Sequence, residues 1–305
     1  MRWSRFSALK PPRQAETSHA NEPHVSPICV CTAQGACLSL TRGGKSGYYD
    51  AQSAASTCAA FSRSETITSR LAHDQSMRHR VDELMDDPAL DAAAHLEALE
   101  GLSRINALSN TTRLLWRPLA RLAERLDRPL RVLDVATGAG DVPIRLARRA
   151  QQARIAMEID ACDISSRALE HAARRASAAN LPIHWKCCDI LSTPPEEEYD
   201  AVISSLFLHH LDEPQAVRCL RIMRDATRRL LLVHDLHRGA AAWLLTWCAT
   251  RLITRSPVVH VDGPRSVRAA FTVKEAAELA ERAGLSGARV TRRWPLRFLL
   301  EWRRS

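Results

Sequence analysis

A chain of 305 residues, 46% of them apolar, has room for one enzyme-sized domain with an appendage and is too apolar to be disordered throughout. The formal charge of +9 comes mainly from scattered arginines that often sit beside acids, so no specific nucleic-acid surface is expected. No apolar run reaches the roughly 18 residues that cross a bilayer, and the nine cysteines follow neither a pairing framework nor zinc spacing, which points to reduced thiols in a cytoplasm.

Residues 1–76 are rich in Ser, Ala, Thr and Pro and lack sustained periodicity, so they are expected to be disordered, or absent from a native protein whose translation starts at Met77. Arg2 and Arg5 are not followed by the apolar stretch of a secretory signal. Cys29, Cys31 and Cys37 lie close together but have no Cys-x-x-Cys or histidine partner, and no metal site is expected.

From 77 to 128 the pattern is that of a helical cap. Leu96, Leu99, Leu102 and Ile105 share one stripe, and Leu115, Leu119, Leu122 and Leu126 keep the spacing of a buried helix face. Two or three helices are expected here.

The sequence changes character at Arg131-Val132-Leu133-Asp134-Val135-Ala136-Thr137-Gly138-Ala139-Gly140-Asp141-Val142-Pro143-Ile144. The apolar run suits a strand covered on both faces, Gly138 and Gly140 suit a turn that a ligand approaches closely, and a helix follows. A dinucleotide turn wants a third glycine for helix packing and no acid near its pyrophosphate. Here the third position is Pro143, and Asp134 stands at the strand tip. S-adenosylmethionine (SAM), which carries a sulfonium and an ammonium and no phosphate, suits that carboxylate better than a nicotinamide dinucleotide does.

In Asp134, Ala136, Gly138, Gly140 and Asp141 the chain resembles the class I SAM-dependent methyltransferases, and among them the ubiquinone and menaquinone C-methyltransferase group. The broader superfamily usually has glycine where Ala136 stands. The resemblance is good over residues 105–235 and looser beyond. It implies a Rossmann-like, doubly wound α/β fold with a seven-stranded sheet in the order 3-2-1-4-5-7-6, its last strand antiparallel, over residues 129–305. It also implies that the preceding helices cover the SAM pocket and part of the acceptor site, through Arg104, Asn106 and Trp116.

Beyond the turn, strand and helix alternate, the mark of a parallel sheet covered on both sides. Strand two runs from Ile155 to Asp163, and Asp163, abutting Ile164 and a serine cap, is placed to accept from both ribose hydroxyls; Asp160 is the alternative. Strand three, Ile183–Cys187, leads to Asp189 and Ile190, which would meet the adenine amino group and ring, as in methyltransferases of this type, unless Asp189 is a plain loop or helix-capping residue. Cys187 and Cys188 read as core or sheet-edge thiols.

Strand four, Asp200–Ser205, ends at the crevice where open α/β sheets hold ligands, so Ser205 and Thr137 join the cofactor-binding set. The following Ser204-Ser205-Leu206-Phe207 lacks the Pro-Pro-aromatic signature of DNA and RNA amino-methyltransferases, which argues against a flipped base as acceptor. A helix over Glu213–Arg228 precedes strand five, Leu230–Val233. An insertion at 237–270 contains the mostly apolar helix 240–254, read as a lid over an apolar acceptor, a surface for peripheral membrane contact, or simple packing. A helix over Lys274–Ala283 and two strands around Trp294-Pro295 close the chain.

Methyl transfer from a sulfonium is an in-line displacement whose leaving group needs no proton, so alignment supplies most of the catalysis. A phenol or activated ring carbon needs a base, and histidine fits. Of His209, His210, His234, His237 and His260, the choice falls on His210 and His234, with Asp235 orienting. A small aromatic or lipophilic acceptor is expected; the alternatives are RNA or protein methylation, or SAM binding without turnover.

Overall fold

The computed structural model describes residues 77–304, except Pro88 and Ser109, together with residues 29–31 and 37–39. The chain divides into two compact units, 1–64 and 65–305. In the first, Cys29–Cys31 and Cys37–Ser39 pair antiparallel with Val30 opposite Leu38. The rest of the expectation of disorder over 1–76 falls outside the described residues.

The second unit is built on seven strands: β1 (Leu130–Val135), β2 (Met157–Asp163), β3 (Ile183–Cys187), β4 (Tyr199–Ser205), β5 (Thr227–Leu236), β6 (Arg289–Arg293) and β7 (Arg297–Arg303). Their order across the sheet is β3-β2-β1-β4-β5-β7-β6. The first five are parallel, and β7 runs antiparallel to both β5 and β6. This is the expected Rossmann-like arrangement.

Alternation along the strands fills both faces. Leu133, Val135, Val202, Leu231 and Val233 point into one core, with Leu220, Met223, Leu279 and Phe298. Val132, Ile203, Leu230 and Leu232 point into the other, with Leu115, Leu119, Ile144 and Leu146. The first face is covered by α5 (Glu213–Asp225) and α8 (Val273–Arg282), the second by α2 (Thr111–Ala123), α3 (Asp141–Ala153) and α4 (Ser166–Ala178). Leu115 and Leu119 are fully enclosed, each contributing about 1.5–3 kcal/mol by burial.

The helical cap is a 3-10 turn, Leu84–Asp86, then α1 (Ala92–Leu108) and α2. The insertion holds two helices, α6 (Ala240–Ile253) and α7 (Pro257–Ala269), the second without a counterpart in the sequence reading. Cap and insertion join: α1 packs against both α6 and α7, and Ala98, Val258 and Val259 form a small core with Met85, Leu90, Leu102 and Ile105. Gly101 makes this approach close, because a Cβ there would strike the Thr254 side chain. β5 begins three residues earlier than expected, at Thr227 opposite Tyr199, and α5 ends correspondingly earlier, at Asp225.

Candidate functional site

The turn after β1 is fixed by its own backbone. Ala136, Gly138 and Gly140 all take positive φ, at 54°, 55° and 72°. Ala136 therefore occupies a conformation that glycine adopts without strain, which explains why glycine is the commoner residue there and costs this chain about 1–2 kcal/mol. Gly140 is glycine for a further reason: a Cβ would stand 2.7 Å from the Trp185 ring and 2.8 Å from the Ala172 Cβ. A Cβ on Gly138 would meet nothing within 4 Å. Pro143 sits in the first turn of α3, where a missing N–H leaves no bond unmade. Asp141 opens that helix; its Oδ1 accepts from Ser103 Oγ of α1 at 2.8 Å and pairs with Arg175 at 2.8 Å, which also donates to the Ala139 carbonyl.

Two carboxylates flank the turn. Asp134, at the end of β1, is buried; its Oδ2 accepts from Thr137 Oγ1 at 2.6 Å, while Oδ1 has no hydrogen-bond partner among the described residues. Burial, against the pull of the Thr137 bond and helped by the nearby Asp163 charge, pushes its pKa up to about 7. Asp163, at the tip of β2, accepts from the Gly138 N–H at 2.7 Å through Oδ2 and from the Ser165 N–H at 2.9 Å through Oδ1. Ser165 in turn caps α4 by accepting from the Ala168 N–H. Each Asp163 oxygen keeps a lone pair for a ligand hydroxyl.

Asp160, the alternative, is occupied inside the fold. Its carboxylate holds Lys186 at 2.7 Å, the Tyr199 hydroxyl at 2.7 Å and His184 at 3.1 Å. Asp189 makes a turn of its own, accepting from the Leu191 N–H at 2.9 Å and Ser192 Oγ at 2.6 Å. Those bonds, the Ser192 hydroxyl foremost, hold its pKa below the usual carboxylate range. Ile190 is 4% exposed and part of the core, whereas Ile164 is 72% exposed beside Asp163. Ile190, the residue expected against the adenine ring, thus offers little surface, and the free apolar side chain beside the turn is Ile164. Ser205, half-buried at the end of β4, lies opposite His234 of β5.

These residues fit a nucleoside carrying an ammonium group. An orphaned, buried Asp134 oxygen wants a cationic donor, the space over Gly138 admits a ligand, and Asp163 presents acceptors for vicinal hydroxyls. Such a fit is what SAM demands.

Beyond β4, Leu206 is held at φ 57° with its N–H on the His234 carbonyl, turning the chain into the 3-10 segment Leu208–His210. The histidines differ from their sequence reading. Asp235 bonds His209, not His210 or His234: Nδ1 lies 2.7 Å from Asp235 Oδ1, and the His209 N–H donates to Oδ2 at 3.1 Å. On the other side, His209 Nε2 is 3.7 Å from Glu83 Oε1. Burial disfavours the charged His209 ring, but Asp235 and Glu83 more than offset it and raise its pKa to about 10. Glu83, which burial would raise, is drawn down to about 2 by His209, His210 and Ser266.

His210, whose side chain is 28% exposed, reaches Asp86 at 3.4 Å and Glu83 at 4.0 Å. His234 is a correction to the sequence reading. It is 0% exposed in the middle of the sheet, and neither ring nitrogen has a hydrogen-bond partner among the described residues. Burial, reinforced by Arg297, pushes its pKa to about 3, which makes it a neutral core imidazole. Of the cap residues, Arg104 forms an exposed pair with Glu100, and Trp116 packs on the α2–α3 face under Arg149. Glu83 itself was not singled out from the sequence, since nothing local marks it.

Residues 132–229 match the family model described as a methyltransferase domain. Over 120 residues the chain is 35% identical to the demethylmenaquinone methyltransferase of Deinococcus radiodurans, covering 38% of this chain and 48% of that one. Over this segment the chain is similar to methyltransferase domains. An uncharacterized methyltransferase of Mycobacterium tuberculosis is 39% identical over 83 residues, covering 27% of this chain and 38% of its own. The chain thus spans about half the length, or less, of these relatives.

The methyltransferase fold recurs in solved structures. The plantazolicin methyltransferase BpumL in complex with S-adenosylhomocysteine (SAH) superposes with a TM-score of 0.54 at 12% identity, covering 77% of this chain and 95% of that one. The SAM-dependent methyltransferase SibL in its apo form gives 0.54 at 18%, covering 76% and 65%.

Proposed function

We propose that this chain transfers a methyl group from SAM to a small aromatic or lipophilic acceptor, a phenol, polyketide or quinone ring, by O- or C-methylation. The observation that carries the reading is the pair of carboxylates on adjacent strand tips: Asp134 with an unpaired buried oxygen, and Asp163 bonded to the Gly138 N–H.

Bound SAM supplies an electrophilic methyl on a positively charged sulfur. Asp134 receives the ammonium, with Thr137 fixing its other oxygen; Asp163 takes the ribose hydroxyls; Ile164 and Asp189 flank the base, and Ser205 closes the pocket at the end of β4. What remains is alignment, worth roughly 7–11 kcal/mol when reacting atoms are held near 3 Å, and removal of one proton from the acceptor. The cluster around His210, flanked by Glu83 and Asp86, handles that proton.

An apolar acceptor is favoured by α6, whose Leu244, Leu245, Trp247 and Leu252 are exposed. Arg251 stacks on Trp247 at 4.1 Å, so the same surface meets both apolar and anionic groups and suits peripheral contact with a membrane that delivers a lipophilic substrate. No helix among the described residues is long and apolar enough to cross a membrane. A cytoplasmic setting is supported by Cys162, Cys187, Cys188, Cys219 and Cys248, all unpaired. No nucleic-acid acceptor is part of this reading.

The test is calorimetry with SAH, followed by labelled methyl transfer from SAM to a panel of phenols and quinols. Tight SAH binding that is lost with Asp163→Ala, and label in a phenol or quinol product, are expected. Absence of SAH binding removes the whole reading; binding without transfer to any small acceptor, but with transfer to bulk RNA or protein, replaces the acceptor class.

A further inference from the structure

The strand ends bring together a donor set that alignment of a methyl group does not require. Glu83 from the segment before α1, and His209 and His210 from the 3-10 turn after β4, offer one carboxylate oxygen and two imidazole nitrogens that all lie within 4.8 Å of one another. His209 Nε2 is 3.7 Å from Glu83 Oε1 and His210 Nε2 is 4.0 Å from Glu83 Oε2. These separations are too long for hydrogen bonds. They are a few tenths of an ångström wider than the spacing of about 3.4 Å between ligands in a tetrahedron with bonds near 2.1 Å.

The surroundings support each ligand in turn. Asp235 Oδ1 holds His209 Nδ1 at 2.7 Å, the carboxylate–imidazole arrangement that orients a metal-binding ring and leaves Nε2 facing the cluster. Ser266 Oγ donates to Glu83, and Asp86 stands 3.4 Å from His210 Nδ1. The backbone is clamped as well: Arg78 donates to the carbonyls of His209 and Leu211 at 3.0 and 2.5 Å, and Arg80 to that of His210 at 2.9 Å. Three acids, Glu83, Asp86 and Asp235, surround the two imidazoles against these two guanidiniums.

We propose that Glu83, His209 and His210 bind a divalent first-row transition ion, with Asp235 as the positioning residue behind His209. A two-histidine, one-carboxylate set selects ions of the zinc, cobalt, iron(II) or manganese class over calcium and magnesium. Three protein ligands, one of them partly open to solvent at His210, leave a coordination position for an exogenous oxygen, as catalytic rather than structural sites do. Ion binding itself does not depend on methyl transfer. Its use there would rest on the function proposed above: the ion would bind an acceptor hydroxyl and lower its pKa, so that the proton passes to solvent water rather than to a free imidazole.

The experiment takes the full chain without a polyhistidine tag, stripped by a chelator and dialysed, and titrates it with Co2+ while following visible d–d absorption. One saturable site is expected, displaced by Zn2+ and not by Mg2+. His210→Ala and Glu83→Gln should each weaken Co2+ binding at least about tenfold and Asp235→Asn about 10–100-fold, with SAH affinity measured in parallel to show each variant folded. Should Glu83→Gln not fold, His210→Ala, at a partly exposed position, still decides. No d–d spectrum in the wild type, or a spectrum and affinity unchanged in His210→Ala, overturns the proposal, whichever way the SAH measurement turns out.

Discussion

The Gly138 N–H donates to Asp163 Oδ2 across 2.7 Å, tying the turn that follows β1 to the tip of β2. One carboxylate thereby shapes the loop and presents lone pairs to whatever lies on it. Replacing it removes a charged acceptor from two backbone N–H groups and from the ligand at once. Asp163→Asn should weaken SAH by about 10–100-fold, equivalent to about 1.5–3 kcal/mol for a hydrogen bond to a charged group, as read by calorimetry. Its melting temperature should fall as well, because the Ser165 N–H loses its strongest acceptor.

The two glycines of the turn separate binding from folding. Gly138→Ala places a methyl in open space at φ 55°, so it should cost the fold only about 1–2 kcal/mol of backbone strain while SAH affinity drops sharply. Gly140→Ala drives its methyl into Trp185 and Ala172 and should lower thermal stability by more than Gly138→Ala does. Thermal melts with and without SAH compare the two; equal losses of stability with equal retention of binding contradict the placement of the ligand over Gly138.

Asp134 makes the affinity for SAH depend on pH. Its folded-state pKa lies near 7, above the ordinary carboxyl value of 3.8, so the ligand-free fold favours the protonated acid and loses stability as pH rises from about 4 toward 7. An ammonium ligand favours the anion. Affinity should therefore rise about tenfold between pH 6 and 8, and Asp134→Asn should bind weakly with that slope gone. Calorimetry across the range checks both.

Acid should act in the opposite direction through Asp200. This side chain is buried at the start of β4, where Arg128 grips both oxygens at 2.6 and 2.7 Å and the Arg131 N–H donates at 3.1 Å. Burial would raise its pKa, but these partners hold it below the ordinary value of 3.8. Its contribution is fully present above about pH 4 and is lost as pH falls through the lowered folded value. Asp200→Asn should destabilise the protein at neutral pH and flatten the acid limb of its unfolding curve.

The histidines divide by burial. His210→Ala should reduce turnover with SAH binding and melting temperature nearly unchanged. His234→Ala leaves a hole under β5 and should reduce thermal stability by about 2–4 kcal/mol. Activity unchanged in His210→Ala under saturating acceptor removes that side chain from proton transfer.

Local pattern carried the fold well. The alternation in Val132-Leu133-Asp134-Val135, the stripe of Leu115, Leu119 and Leu122, and the serine cap after Asp163 each reflect an interaction within a few residues, so each was readable before the chain was folded. What escaped was non-local. Helix α7 hid behind Gly263-Pro264, a pair that reads as a breaker; in the fold Gly263 faces α6 closely, a Cβ there standing 2.7 Å from Thr250. The sequence carries the helical reading through the polar Thr227-Arg228, and only pairing of Thr227 with Tyr199 makes this stretch a strand. The partnership of Asp235 with His209, and the presence of Glu83 on that ring's far side, follow from which side chain a left-handed Leu206 turns inward.

Arg78 also donates to the Ala269 carbonyl at 2.6 Å, so one guanidinium stitches the segment at 78–86 to the end of α7 as well as to the turn after β4. The segment at 78–86, outside the matched 132–229 region, is therefore a keystone rather than packaging. A trimmed recombinant version starting at 129 would strip three carbonyls of their shared donor and strand His209 beside Asp235 alone, whereas one starting at Met77 retains the whole arch.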